Sequence, residues 1–95
     1  MISWLQNWYQ QNCDGDWEHS YGIKIETIDN PGWNVEIDFN ETNLYVEDIP
    51  YTLVEKSEND WYGYSISNSV FSGAGDPQKL EMIISIFKKI SERDL

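Results

Sequence analysis

The spacing of apolar and polar residues changes along the chain, and the changes mark its elements. At the start, Trp4, Leu5, Trp8 and Tyr9 recur at helical spacing, while Gln6, Asn7, Gln10 and Gln11 take the other side. This predicts an amphipathic helix over residues 3–12. A Ser3–Gln6 capping box opens it with Ile2 as staple residue, and Asn12, Asp14 and Gly15 stop it. From Tyr21 the period falls to two. Ile23, Ile25 and Thr27 alternate with Lys24 and Glu26, and Trp33, Val35, Ile37 and Phe39 alternate with Asn34, Glu36 and Asp38. Asp29-Asn30-Pro31-Gly32 between them suits a type II turn, so the two runs predict a hairpin.

A short third strand is expected over Leu44–Glu47. Asp48, Ile49 and Pro50 interrupt it, because proline has no N–H for a ladder, and pairing resumes over Tyr51–Lys56. Trp61–Ser67 reads as the last strand, with Tyr62, Tyr64 and Ile66 on one face. Ser72-Gly73-Ala74-Gly75 reads as a loop of small residues. Asp76 and Pro77 then suit the N-cap and first position of a helix. Its apolar stripe is Leu80, Ile83, Ile84, Phe87 and Ile90, and Lys88, Lys89 and Arg93 lie toward the negative end of its dipole.

This order predicts one domain over residues 1–95. The class is α+β in two layers: an N-terminal helix, an antiparallel meander sheet of four or five strands, and a C-terminal helix, with both helices on one sheet face. The free face then presents Lys24, Glu26, Asn34, Glu36, Asp38, Tyr45 and Glu47.

Charge sharpens that face. Seventeen acidic residues oppose six basic ones, for a net charge of −11. Residues 1–12 carry no charged side chain and residues 61–95 balance, so the whole excess lies in residues 14–60. Such a surface repels nucleic acid and anionic membrane and favours a basic partner. Five Trp and six Tyr are too much ring surface for so small a core, which leaves some for an interface. A single cysteine excludes an internal disulfide. No apolar run is long enough to span a membrane, and the first residues lack a signal-peptide pattern, so a cytoplasmic home is expected.

Chemistry is densest in Cys13-Asp14-Gly15-Asp16-Trp17-Glu18-His19. Thiolate and imidazole both bind zinc, but a structural site takes four ligands, and the chain has one Cys and one His. The Asp-Gly-Asp triplet lacks the spacing of a calcium loop that ends in a bidentate glutamate. A Cys13 nucleophile served by His19 has acidic sequence neighbours, which oppose the thiolate. Ser72–Gly75 lacks the Lys-Ser/Thr ending of a phosphate loop, and Asp76 would repel the anion. A small metal-dependent or cysteine hydrolase centred on Cys13–His19 is therefore the alternative reading. The leading one has no catalytic set, no cofactor and no metal. Trp17 has two readings, a lid over the core or an exposed anchor among acids.

The ordered motifs carry a family resemblance. Trp4-Leu5-Gln6 with Trp8-Tyr9, Cys13 to His19, Tyr21-Gly22-Ile23 and Asp29-Asn30-Pro31-Gly32-Trp33 come first. Asp60-Trp61, Gly73-Ala74-Gly75-Asp76-Pro77 and the closing Leu80 to Phe87 helix complete the series. Over nearly the whole chain this resembles the Immunity protein 53 family. The resemblance implies a bacterial immunity protein of a polymorphic toxin system, encoded beside a toxin that it neutralises by binding, with an α+β fold. The expected partner is a basic, nuclease-type toxin domain. The expected contact residues are Asp14, Asp16, Trp17 and Glu18, with Glu26, Glu36 and Asp38 of the sheet. Nucleic acid and membrane are not expected partners.

Overall fold

The computed structural model describes residues 1–93, so the last two positions of the expected 1–95 domain lie outside the described residues. In chain order the elements are α1 (Ile2–Asn12), α2 (Trp17–Ser20), β1 (Gly22–Ile28), β2 (Gly32–Asp38), β3 (Ile49–Ser57), β4 (Asp60–Ser67), β5 (Val70–Gly75) and α3 (Leu80–Glu92). The five strands form one antiparallel sheet in the order β1-β2-β5-β4-β3. The chain makes the β1–β2 hairpin, crosses to the far edge through residues 39–48, and returns inward through β3, β4 and β5. The last strand thus fills the centre of the sheet.

Alternation along the strands decides which side chains meet. Val35 lies between Ile25 and Gly73, and Ile37 between Ile23 and Phe71. These inward residues join Phe39, Val46, Ile66 and Leu5 under the buried stripe of α3: Ile83, Ile84, Phe87 and Ile90. Phe87 is the meeting point. Its ring lies 5.1 Å from Trp8, 5.4 Å from Phe71, 6.1 Å from Trp4 and 6.2 Å from Phe39, centroid to centroid. Helix α3 therefore rests on β5 and β2, and α1 leans on α3, so both helices share one face of an α+β fold.

Five local expectations change. Val70–Gly75 is a central strand, not a loop. Its glycines serve close approach: a Cβ on Gly73 would sit 2.6 Å from Ile83 Cγ2, and one on Gly75 would sit 2.8 Å from Lys79 Cβ. Without those two methyl groups α3 can lie against the strand. Helix α3 begins at Leu80 rather than Pro77, because Asp76 closes a separate turn, accepting the Gln78 amide on Oδ1 and the Lys79 amide on its main-chain oxygen. Leu44–Glu47 is not a strand. Val46 drops into the core while Tyr45 is 72% exposed, and β3 instead starts at Ile49 and runs through Pro50 with a register shift between Ile49 and Thr52. Pro50 lies inside that shift on an edge strand, where it has no register partner and its missing N–H breaks no ladder bond.

The turn before β2 also differs. Gly32 already pairs with Ile28, leaving Asp29, Asn30 and a cis Pro31 as the connection in place of a type II turn. A Cβ on Gly32 would collide with the Gly75 carbonyl oxygen, so this glycine too is required by a neighbouring strand. Helix α1 starts at Ile2 with Met1 as N-cap and no side-chain cap bond. Ser3 is already inside the helix, so its hydroxyl is no longer at the cap position.

Gly73→Ala, a change that strand propensity alone would welcome, is expected to lower stability by about 1–3 kcal/mol through overpacking against Ile83. Urea denaturation measures it, and Ala74→Ser, on the opposite face, is the control that should change little.

Candidate functional site

The corner after α1 is built by reciprocal hydrogen bonds. Asp14 Oδ1 accepts the main-chain amides of Asp16 and Trp17, both at 2.9 Å. Glu18 reaches back, and its two carboxylate oxygens accept the amides of Asp14 at 2.9 Å and Gly15 at 2.8 Å. These bonds hold both carboxyls below the usual carboxylate range. For Asp14 the Trp17 and Asp16 amides are the cause, and for Glu18 its own main-chain amide leads, followed by those of Asp14 and Gly15. Gly15 takes φ +98°, a conformation that side-chain-bearing residues avoid, which lets the chain fold this tightly.

Trp17 is the corner's fastening. It is 1% exposed, meets the Trp8 ring edge-to-face at 5.7 Å, lies 5.5 Å from Tyr9, and donates its indole N–H to the Asp38 carbonyl at 3.2 Å. Its expected place among the contact residues is therefore corrected: a buried indole with its donor satisfied has no face to offer a partner. Cys13 gives its S–H to the Tyr9 carbonyl at 3.3 Å, and His19 stands exposed at the end of α2. Among the described residues no Cys13–His19 hydrogen bond forms, and no group of three or more His, Cys, Asp or Glu side chains is placed to hold a metal. The carboxylates of Asp14 and Glu18 are occupied by main-chain amides.

The Trp17–Asp38 bond brings the corner to the end of β2, where β1 begins. Asp38 Oδ1 accepts the Asn40 amide at 3.0 Å and the Asn40 side-chain N–H at 2.8 Å, so this carboxylate shapes the start of the crossing segment. Asn40 also donates to the Asn68 carbonyl, and Asp48 accepts the Asn68 amide, which ties residues 40–48 beneath the β4–β5 turn. Glu36 and Glu26 lie on the helix-free face, with Glu36 paired to Lys24 and to Ser72, and Glu26 to Asn34. Asp14, Asp16, Glu18 and Asp38 thus gather at one end of the sheet, and Glu26 and Glu36 extend the negative surface along β1 and β2. Tyr45 and Glu47 leave that face with their loop. In their place come Tyr51, 60% exposed with its ring over Gly63, and Leu53, 51% exposed.

Asp76 is a structural centre that sequence reasoning missed. It is 1% exposed, and Oδ2 accepts the Trp61 amide at 2.9 Å and the Lys79 ammonium at 2.7 Å. Lys79 also bonds Asp60 at 2.7 Å, so β4, β5 and α3 are joined at one point. The Lys79 hydrogen bond, with the Gln78 and Trp61 amides, holds Asp76 at about 2 against the opposing effect of burial. Lys79 is raised above its ordinary range by Asp60 and then Asp76. The signal was local, an Asp-Pro pair, while the partners are remote in sequence.

The fold and surface define a small acidic α+β protein with one sheet face clear of helices. No helix among the described residues is long and apolar enough to cross a membrane. The chain belongs to the Immunity protein 53 family, whose family model matches residues 2–92. No curated protein and no solved structure matches it. An immunity protein works by binding a partner protein, a toxin, and that coarse role belongs to this chain with its family.

Two predictions follow from the bonding described above. Trp17→Ala is expected to destabilise by about 3–5 kcal/mol, as loss of a buried aromatic does, read by urea denaturation. For pH, a depressed carboxyl pKa means that the unfolded chain takes up the proton first. The Asp76 contribution is thus complete above its ordinary value of 3.8 and drains as pH falls toward about 2. The lowered Asp14 and Glu18 add to that acid limb. The raised Lys79 contributes fully below its ordinary 10.5 and loses its share as pH rises beyond it. Thermal melts should show a plateau from about pH 5 to 10, and Asp76→Asn should melt lower at neutral pH with a flatter acid limb.

Proposed function

We propose that this protein neutralises a basic, nuclease-type toxin domain by binding it without catalysis, through carboxylates at one end and on the free face of its sheet. The contact set is Asp14, Asp16 and Glu18 of the corner with Glu26, Glu36 and Asp38 of β1 and β2. Trp17 holds the corner in place from inside.

One observation carries this reading. The net charge of −11 arises wholly from residues 14–60, the stretch that includes the corner, β1, β2 and the crossing segment. Of the six cations, Lys79 and Lys88 are spent in ion pairs with Asp60, Asp76 and Glu92, and Lys24 alone stands beside Glu36. A toxin surface that receives nucleic acid is itself cationic. A surface with carboxylates in such excess is therefore complementary to it, and long-range attraction speeds the encounter. The protein acts where its toxin acts, in the cytoplasm of the cell that makes both.

Co-expression with the protein encoded by the adjacent gene, followed by pull-down and a toxicity rescue, is the direct test. Glu26→Lys with Glu36→Lys should weaken binding by about tenfold or more at low salt, and the loss should shrink as salt rises. Equal affinity of parent and double variant at low salt would remove the acidic face from the contact.

A further inference from the structure

The sheet has two free edges, and they are built differently. The outer edge at β3 is interrupted: Pro50 removes a donor, and register shifts fall between Ile49 and Thr52 and between Glu55 and Ser57. Proline and bulges of this kind blunt an edge against pairing with another chain. The edge at β1 has neither. Gly22 to Ile28 pair with β2 in unbroken register, and β1 is the terminal strand of the sheet. In an antiparallel strand alternate residues turn N–H and C=O away from the neighbour, so one side of β1 carries a regular row of such groups with no strand to receive them.

Clefts of opposite character flank that edge. On the helix side a groove of about 450 Å³ separates α1 from β1 and is lined chiefly by Ile2, Tyr9, Tyr21, Ile23 and Ile25, with Glu18 at its wall. Ile25 is 39% exposed there although it points to the layer that carries the core. On the other face a smaller cleft of about 200 Å³ is lined by Lys24, Glu36 and Asp38, with Ser20 and Tyr21 beside them. An extended segment added to β1 would place alternate side chains in the apolar groove and the rest on the face that carries Lys24 and Glu26, with Glu36 and Asp38 behind them.

We infer that β1 is a docking edge. An extended segment of the toxin adds to it as a sixth strand, with apolar residues seated between α1 and β1 and, on the other face, basic residues beside Glu26 and across Gly22 toward Asp38, on either side of Lys24. This rests on the proposed toxin-binding function and assigns the edge that does the binding. Charge decides the occupant. A second copy could pair its own β1 here and would bring a second Lys24 along with a second Glu26, but its whole net charge of −11 opposes the approach. A segment bearing Lys and Arg is attracted instead.

The test is amide hydrogen exchange on the full protein, alone and in complex with the toxin encoded by the adjacent gene, together with binding measurements on two edge variants. The outward amides of β1 should slow in the complex while those of β3 stay unchanged. Ile25→Glu fills the groove with a carboxylate yet makes the surface more acidic, so attraction by charge alone predicts equal or tighter binding. Strand addition predicts a loss of about 30-fold or more, the scale of a central interface residue. Ile25 is already partly exposed, and an unchanged melting temperature shows that the variant folds. Leu53→Glu on the other edge should bind as the parent does. A complex in which β1 amides exchange as in the free protein, or full affinity of Ile25→Glu, overturns the docking edge and leaves toxin binding standing. Absence of any complex with the parent protein overturns both. Concentration-dependent protection of β1 in the protein alone identifies a second copy as the occupant and overturns the toxin strand.

Discussion

How near α3 lies to the sheet depends on two missing methyl groups. Gly73 and Gly75 give β5 a bare inner surface at the positions where Ile83 and Lys79 pass over it. That approach sets Phe87 where it touches Phe71 and Phe39 from above and receives Trp4 and Trp8 from the side. Helix α1 is positioned by those rings, by the Trp4 indole bond to Glu92 at 3.2 Å, and by Lys88 over the Trp4 ring. Trp8 then braces Trp17, and Trp17 fastens the acidic corner to the end of β2. The surface is thus referred back, ring by ring, to a glycine-lined strand in the middle of the sheet.

The carboxylates divide into two populations with different work. Asp14, Glu18, Asp38 and Asp76 accept main-chain amides and shape the chain, which also fixes where their remaining charge points. Asp16, Glu26 and Glu36 are exposed and make no such bonds among the described residues. Buried placement requires pairing, and Asp76 has it in Lys79 and two amides. The same residue type therefore builds the scaffold where it accepts main-chain amides and the field where it does not.

Much of the fold was legible because periodicity reports burial. The stripe of α3, the alternation of β1 and β2 and the face of Tyr62, Tyr64 and Ile66 all follow from it. The strand at Val70–Gly75 was not legible, since small residues carry no period and the reason for them lies on α3, across the core. Pro50 was read as a break, but its effect is decided by strand order, which places it at an edge. Trp17 and its acidic neighbours were found as a motif. Their division into a buried fastening and an exposed rim needed Trp8, Tyr9 and the Asp38 carbonyl, all contributed by other elements. The open edge at β1 rests entirely on strand order, which no local spacing encodes.

The crossing at residues 39–48 has a consequence for when the molecule becomes competent. The β1–β2 hairpin leaves the ribosome before the other strands, yet β2 finds its other neighbour only in β5, the last strand made. The helix that covers them comes later still. Until then the hairpin has its apolar side uncovered and no sheet to join, and isolated two-stranded hairpins are marginal in water. Pairing across such a separation closes late, because the loop must be ordered before its contacts repay it. The acidic corner and its neighbouring edge are therefore assembled by the C-terminal half of the chain, and a truncated or unfinished molecule carries their residues without their arrangement.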